Sequence, residues 1–509
     1  MSPLTTRRRL LAGIGLLAGA SLLAACGASA GGSTAAGSSA SSGTLASSSA
    51  APASSTSAAS SSAPASSSAA TSSASSAAAI TSRAASTSSA AASAATSSAA
   101  ASSAPAGTGV TLQYLGQGDN SELKIYQTFA DTFHKENPDI TIQIAFATPG
   151  GSAGVLQKLE TLVAANSGPD AYWTHSFIGA ALNKQGISLV LDPFLQQDKT
   201  IKLDDYFAAA YLDYTFDGKH TALPREIATN IMYYRTDLFD KAGIKYPDAN
   251  WTWDDMRDAA QKLTSGQSGS KIYGFGGPVT SSFMYRSMSL EKGSDIVDKQ
   301  NLKSLFANQP VIDAIQYFAD YRSKDHTAPT TADLTADKNA GSFQKGLAAI
   351  AFSGYYLIGV IKNDTTATWP YDCSNMPIFS GGKRYSASAT SAHSAWSGTK
   401  HSQEAWRWVK YLSGPEASKL YGALGLVIPP LKALAESDQF TSAADVPHHR
   451  KAFIDDLTNA EAFPIVPNWI DVQNVFGAVL QPVWDGKMTA KEAIDAGNGK
   501  INAELQKNA

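Results

Sequence analysis

The stretch from Leu223 to Phe239, LPREIATNIMYYRTDLF, decides how the rest of the chain is organised. It begins with an extended segment, because Pro224 fixes its own φ and biases the preceding residue towards an extended conformation. A strand-like apolar run follows at positions 231–234, and a short helix is predicted from Thr236 onwards. Between the proline and the strand lie four polar side chains: Arg225, Glu226, Thr229 and Asn230. We interpret the stretch as the first place where the chain leaves one lobe and enters another, with these polar residues at the floor of a ligand cleft.

The length and charge of the chain narrow the class of protein. With 509 residues it is too long for one ordinary core, so two domains plus extra segments are expected. The net charge of -3 gives no indication of a nucleic-acid partner or of a basic membrane-binding face. Only two cysteines occur, Cys26 and Cys373, and they cannot build a disulfide framework.

Residues 1–25 have the layout of a secretory signal peptide, with a charged start, an apolar middle and small residues at the end. The apolar run is short and rich in Ala and Gly, so it does not predict a membrane span. The arginines at positions 7–9, followed by two leucines, resemble a twin-arginine export signal, and general secretory export remains open. Leu23-Ala24-Ala25-Cys26 resembles a bacterial lipobox, in which Cys26 receives a lipid and becomes the mature N-terminus. We therefore expect a protein held by a lipid anchor on the outer face of the cell membrane.

Residues 26–109 predict a disordered linker after the lipidated cysteine. Ser and Ala dominate this segment, and it holds too little apolar surface to offset the loss of chain entropy on folding. Whether the linker is glycosylated remains open. Gly27–Gly31 formally matches the GxSxG motif of hydrolases, but no strand precedes it and no helix follows it, so we reject that interpretation.

From Val110 onwards the sequence alternates strand and helix patterns. Strands are predicted at 111–115, 140–146 and 171–173, with amphipathic helices between them. This order predicts a parallel sheet with right-handed crossovers, in which ligands bind beyond the carboxyl ends of the strands. Those ends are Gln117–Asp119 and Trp173–Ser176. The middle of the chain predicts a second α/β unit, and a strand near Ser391–Ser397 returns the chain to the first unit before it ends in the second.

Several motifs resemble the family 1 extracellular solute-binding proteins of bacterial ABC importers, the sugar-binding group that includes maltose-binding protein. The resemblance covers residues 110–509. The matching motifs are Gly168-Pro169-Asp170 with Trp173 and His175, Leu223-Pro224 with Tyr233–Phe239, Trp251–Asp255, Phe343–Gly346 before Ala348–Ile350, and Trp406–Leu412. The order and spacing of these motifs carry the resemblance.

The resemblance implies an α/β, two-lobed fold of the type II periplasmic-binding-protein kind, each lobe a mainly parallel sheet flanked by helices, with the ligand cleft between the lobes. It assigns residues 110–224 and 393–440 to lobe 1, and residues 225–392 and 441–509 to lobe 2. It places the passages between lobes near 225–230, 393–396 and 439–447.

The resemblance also implies which residues contact the ligand. The expected ligand-binding residues are Gln117, Asp119, Trp173, His175, Ser176, Arg225, Glu226, Thr229, Phe283 or Tyr285, Tyr355, Tyr356 and Trp469. Trp173 and Trp469 could instead be packing residues, Glu226 could pair with Arg225, and only one of the adjacent Tyr355 and Tyr356 is expected to face the ligand. The sequence departs from the maltose-binding pattern at Ser176-Phe177 and at Ala228, so the identity of the sugar remains open.

The expected function is that of a monomeric, non-catalytic receptor without cofactor or metal. It would bind an oligosaccharide or a polyol by aromatic stacking and polar contacts, close about its hinge and deliver the ligand to an ABC permease. One alternative is a binder of another solute such as glycerol phosphate, with Arg225, Arg286 or Arg384 as phosphate ligands. Another is a secreted carbohydrate-active enzyme using Asp254-Asp255 or Asp455-Asp456, although adjacent side chains rarely flank one bond. His448-His449 has no nearby Cys or third His, which favours a loop over a metal site.

Overall fold

A computed structural model describes residues 109–118, 120–147, 151–267, 271–442 and 445–507. The predicted signal peptide, Cys26 and the linker lie outside these residues and stay predictions. Among the helices that the structure describes, none combines the length and the apolar character needed to cross a membrane.

The strands are mostly short and occur along the whole of the described chain. They are β1 (Val110–Gln117), β2 (Ile140–Ala147), β3 (Ala171–His175), β4 (Thr215–Phe216), β5 (Lys219–His220), β6 (Leu223–Pro224), β7 (Ala228–Thr229), β8 (Ile231–Arg235), β9 (Tyr273–Phe275), β10 (Val297–Asp298), β11 (Lys303–Ser304), β12 (Ala348–Ser353), β13 (Tyr371–Ser374), β14 (Ser386–Ala389), β15 (Ser391–Ala395) and β16 (Ala460–Ala462).

The helices alternate with these strands at first and dominate the last hundred residues. They are α1 (Asn120–Glu136), α2 (Gly151–Ala164), α3 (Ser176–Lys184), α4 (Asp192–Gln197), α5 (Ala208–Leu212), α6 (Thr236–Ala242), α7 (Trp253–Leu263), α8 (Ser282–Glu291), α9 (Gln309–Ser323), α10 (Thr331–Ala336), α11 (Leu357–Asn363), α12 (Ser402–Leu412), α13 (Pro415–Ala423), α14 (Lys432–Ala435), α15 (Asp438–Thr441), α16 (Lys451–Leu457), α17 (Trp469–Trp484) and α18 (Ala490–Gln506).

The first lobe is built on a five-stranded sheet with the strand order β2-β1-β3-β15-β6. The first three strands pair in parallel, as the alternation of strands and helices predicted. Strand β15 pairs antiparallel with both β3 and β6, so β6 runs in the same direction as β3 and only β15 is reversed. The expectation of a mainly parallel sheet is therefore confirmed for this lobe.

The second lobe is built on a four-stranded sheet with the order β13-β8-β12-β9. Its central strand β8 pairs antiparallel with both neighbours, and only β12 and β9 are parallel. Strands β13, β12 and β9 therefore run in one direction, and β8 alone is reversed, because it enters directly from the first passage between the lobes. The prediction of a mainly parallel sheet agrees with the direction of these three strands. Tyr233 and Tyr234 of β8 are buried on opposite faces of this sheet, in agreement with the strand predicted there.

The first two passages between the lobes lie side by side. Strand β7 of the first passage pairs antiparallel with β14, which leads into the second passage at Thr390. The third passage, expected near 439–447, stays a prediction. Ile428 pairs with Ile227 of the first passage, and the residues after it still contact the segment that precedes β6: Leu431 pairs with Tyr206, and Lys432 donates to the carbonyl of Asp204.

Two local predictions also differ from the structure. The sequence over Asp204–Tyr214 predicts one helix, whereas the structure has a 3-10 turn, Leu203–Asp205, followed by the short helix α5. The sequence over Met376–Phe379 predicts a short strand, whereas the structure has only a single bridge between Ile378 and Thr252 in this segment. In both places tertiary contacts outweigh a weak local pattern.

Gly274 in β9 lies against the backbone of α7, and this contact gives a test of the fold. A Cβ at position 274 would lie 1.8 Å from the carbonyl oxygen of Ala260. We expect Gly274→Ala to lower the free energy of unfolding by about 2–3 kcal/mol, because the helix backbone must move away. Gly477→Ala in α17 is the matched control: nothing lies within 4 Å of its Cβ position. The control should raise stability by about 1 kcal/mol through helix propensity. Equal effects of the two changes in urea unfolding would contradict this packing.

Candidate ligand-binding cleft

Two adjoining cavities occupy the space between the lobes, and they share Glu226, Tyr356 and Leu426 as a common wall. The inner cavity has a volume of about 310 Å³ and the outer cavity about 1000 Å³. The inner cavity is also lined by His175, Ile227, Ala228, Thr229, Asn230, Pro278, Ser281, Phe283, Phe352, Ser353, Gly354, Tyr355, Ala389 and Ile428. The outer cavity is also lined by Gln117, Gly118, Glu122, Trp173, Arg225, Gln344, Lys345, Gly359, Val360, Asn363, Asp364 and Thr365.

The end of strand β3 supplies side chains to both cavities. Trp173 borders the outer cavity but is only 5% exposed, since most of its ring packs in the core of the first lobe. His175 borders the inner cavity, and its Nδ1 accepts a hydrogen bond of 3.2 Å from the backbone N–H of Phe177, which caps α3. Burial lowers the pKa of His175 to about 4, so the ring is neutral near pH 7 and free to act as this acceptor.

The first passage between the lobes places a charged group beside the cavities. The guanidinium of Arg225 is almost buried, donates to Glu122 Oε1 at 2.9 Å and lies 4.5 Å over the ring of Tyr421. Its Nη1 is 3.9 Å from Glu226 Oε1. The hydroxyl of Ser391, on the second passage, donates to the Glu226 carboxylate. The expected pairing of Arg225 with Glu226 is therefore present at long range, and Glu226 still borders both cavities.

The two adjacent tyrosines have different environments. Tyr355 is 3% exposed, its ring stacks on Phe440 at 5.0 Å, and its hydroxyl donates to the carbonyl of Gly422. Tyr356 is 57% exposed and borders both cavities. Of the two, Tyr356 is the ring with a face available to a ligand.

The remaining expected ligand residues either line a cavity, lie outside the described residues or pack away from both cavities. Gln117 borders the outer cavity, and Thr229 and Phe283 border the inner one. The hydroxyl of Thr229 also contacts that of Ser386 in β14. Asp119 lies outside the described residues.

Three of the expected residues do not line either cavity. Ser176 is buried, and its hydroxyl accepts from the backbone N–H of Thr390 at 3.3 Å. Tyr285 stacks on Trp484, and Trp469 is fully buried in the core of the second lobe. Trp469 therefore has the position of a packing residue, which was the alternative interpretation. The sequence could not distinguish the two roles, because aromatic residues occur both in hydrophobic cores and in sugar-binding sites.

The sequence patterns missed a polar group on the outer cavity. It consists of Gln344, Lys345, Asn363 and Asp364, and Lys345 pairs with Asp364 at 2.6 Å. The first two belong to the Phe343–Gly346 motif, which carried the resemblance but was assigned no contact. Within the described part of the chain, no cluster of His, Cys, Asp or Glu has the geometry to hold a metal ion. His449 instead pairs with Asp372 at 2.8 Å.

Comparison with known proteins gives the family. The profile of the bacterial extracellular solute-binding proteins matches residues 118–419, which is more than half of the chain. The chain belongs to this family. The solute-binding protein is 24% identical to a binding protein of Brucella abortus (strain 2308), over 75% of this chain and 90% of that protein. It is also 24% identical to the arabinooligosaccharide-binding protein of Bacillus subtilis (strain 168), over 49% of this chain and 58% of that protein.

The solved structures confirm the two-lobed fold of this solute-binding protein. The ABC substrate-binding protein of Listeria monocytogenes, solved in complex with cycloalternan, superposes with a TM-score of 0.70 at 20% identity. The match covers 78% of this chain and 99% of the Listeria chain. The resemblance drawn from the sequence motifs is confirmed at the level of family and fold.

The low pKa of His175 predicts a loss of stability in acid. The unfolded chain takes up a proton on this ring as the pH falls through 6.5, whereas the folded chain does so only near pH 4. Stability is therefore lost as the pH falls from 7 to 4, by about 3 kcal/mol from this group. His175→Asn keeps an acceptor for the Phe177 N–H and should remove the part of the acid-dependent loss of stability that comes from His175. The check is urea unfolding of both proteins from pH 7 to pH 4. The buried His393 affects the free energy of unfolding of both proteins equally, so its contribution cancels in the difference between them. If the two plots of unfolding free energy against pH were parallel, the prediction would be contradicted.

Proposed function

We propose that this solute-binding protein is the extracytoplasmic receptor of an ABC import system. It binds an oligosaccharide or a polyol between its lobes, closes about the three passages and delivers the ligand unchanged to the permease. The observation that carries the proposal is the exposed ring of Tyr356, which stands beside Glu226 in the wall shared by the two cavities. A sugar presents C–H faces that stack on such a ring and hydroxyls that donate to such a carboxylate.

Amide side chains around this wall support the same ligand class. Asn230 borders the inner cavity, and Gln344 and Asn363 border the outer one. An amide both donates and accepts hydrogen bonds, which suits hydroxyl groups that do the same. A closed cleft makes each hydroxyl contact selective, because an unpaired buried polar group is costly.

The three arginines of the glycerol phosphate alternative are already occupied. Arg225 is paired with Glu122, as described above. Arg286 is buried, binds Asp295 through two nitrogens and donates to the carbonyls of Glu461 and Ala462. Arg384 donates to backbone carbonyls and lies 3.3 Å from Asp456. A phosphate would have to displace a carboxylate from one of these groups, so this geometry favours a neutral ligand.

The carboxylate pairs considered for a carbohydrate-active enzyme include residues with structural roles. Asp255 completes the capping box of α7, and Asp456 accepts hydrogen bonds from Asn375 and Met376. Neither Asp254-Asp255 nor Asp455-Asp456 is among the residues that line the two cavities. A binding role without catalysis therefore fits the cleft better.

The proposed cellular arrangement rests on the N-terminal sequence and the family. Cleavage before Cys26 and its lipidation would attach the protein to the outer face of the membrane, with the Ser/Ala-rich segment as a spacer. A monomer would meet the permease there.

A thermal-shift screen tests the proposed function. Neutral sugars and polyols are compared with phosphate esters, because a ligand that binds only the folded state raises its unfolding temperature. We expect one or more neutral carbohydrates to raise this temperature and the phosphate esters to leave it unchanged. A response to phosphate esters alone would contradict the proposal.

A further inference from the structure

Helix α3 has two buried faces that belong to different lobes. Ile178 and Leu182 pack in the core of the first lobe. Phe177 and Ala180, three residues apart, face the other way and pack with the core of the second lobe. This spacing is that of one helical face, so α3 presents Phe177 directly to the opposite lobe.

The ring of Phe177 lies among three aromatic rings of the second lobe. Its centroid is 5.4 Å from that of Phe463, 6.3 Å from that of Phe283 and 6.5 Å from that of Trp469. We call these three rings the aromatic socket. Arg286 fixes the socket, since its guanidinium lies 4.7 Å over the Phe463 ring and binds the two carbonyls that precede this residue.

The position of Phe177 relative to the cavities gives it a consequence for the ligand. Its ring contacts His175 at 4.6 Å and Phe283, and both of these residues line the inner cavity. Neither lines the outer cavity, which meets the inner one at Glu226, Tyr356 and Leu426. Phe177 therefore lies behind the inner cavity, at the end away from the outer cavity. At this end its ring contacts residues of both lobes.

We propose that Phe177 is a specificity-determining residue, which with the aromatic socket ends the cleft and limits the inner cavity to the terminal ring of a carbohydrate. The inference rests on the proposed function and adds how the protein selects its ligand. One end of the ligand meets a close-packed aromatic wall, and the other end extends through the larger outer cavity. Such a cleft recognises one chain end and tolerates extension at the other.

The test compares carbohydrates that are extended at one end or the other. Short linear oligosaccharides of glucose, mannose, xylose and arabinose are measured by calorimetry in three forms. These are the plain oligosaccharide, its 4-nitrophenyl glycoside at the reducing end and its benzoyl ester at the non-reducing end. For the oligosaccharides that bind, we expect the protein to bind one extended form about as well as the plain one, and the other at least about tenfold more weakly.

Phe177→Ala should remove this asymmetry, because the space left by the ring joins the inner cavity between His175 and Phe283. Both extended forms should then bind within about twofold of the plain oligosaccharide. Phe177→Leu refills most of the space and should restore the discrimination. The matched control is Phe194→Ala, which removes a ring stacked on Trp406 within the first lobe and should leave the asymmetry intact. Unfolding temperatures confirm that each variant is folded.

The outcomes separate the inference from the function it rests on. If the protein tolerates both extensions equally, or if Phe177→Ala discriminates as before, the aromatic wall does not select the ligand and the inference is overturned. If none of the plain oligosaccharides binds, the oligosaccharide part of the proposed function fails, and the inference fails with it.

Discussion

Tyr356→Ala is expected to lower the affinity for a bound carbohydrate by about thirtyfold and to leave the unfolding temperature of the free protein unchanged. The ring is 57% exposed, so its removal exposes little that was buried on folding. A sugar face stacked on the ring would remove apolar surface from water, which is worth about 2 kcal/mol of binding free energy. Calorimetric titration measures the affinity, and differential scanning calorimetry measures the unfolding temperature.

The neighbouring Tyr355→Ala is the matched control and should give the opposite result. Its ring packs on Phe440 and Phe453 and is almost fully buried. Removing it should lower the free energy of unfolding by about 3–5 kcal/mol through the cavity left behind. If Tyr356→Ala destabilised the free protein as much as Tyr355→Ala, or if it bound carbohydrate normally, the assignment of Tyr356 as the stacking ring would be wrong.

Arg225→Met is expected to destabilise the interlobe region through the loss of a buried positive charge. Methionine occupies part of the volume of the side chain but leaves Glu122 and Glu226 without the cation they face. Breaking a mostly buried ion pair in this way should lower the free energy of unfolding by about 3 kcal/mol. Urea unfolding at neutral pH provides the measurement.

A second substitution separates charge from packing at this position. Glu122→Gln removes the charge of one of the two carboxylates that face Arg225, so the double variant Arg225→Met with Glu122→Gln should recover part of the loss. A loss below about 1 kcal/mol for Arg225→Met, or a double variant less stable than the sum of the single changes, would contradict the pairing.

The ends of the strands in the first half of the chain were predictable because they depend on a short-range pattern. Strand and helix alternate there within residues 110–175, and parallel order then brings Gln117, Trp173 and His175 to one edge of the sheet. The reversed direction of β15 was not predictable in the same way, because this strand returns from the other lobe before it pairs with β3 and β6.

The side chains that face the cleft were harder to predict than the segments that carry them. Tyr355 and Tyr356 are identical in type and adjacent in sequence, and only the position of Phe440, about 85 residues later, decides which ring is covered. Trp469 was selected as an aromatic residue near the expected cleft, yet it is covered by Phe463 and Phe476. Local sequence reports aromatic character, whereas exposure depends on packing between distant segments.

Native mass spectrometry of the protein with the carbohydrates that raise its unfolding temperature tests the central claim most directly. A receptor holds its ligand without changing it, so we predict one carbohydrate per protein chain, with the ligand recovered at its original mass after release. Recovery of a shortened carbohydrate would show turnover and contradict the receptor function. The absence of any complex with these carbohydrates would contradict the assignment of a neutral carbohydrate to this cleft.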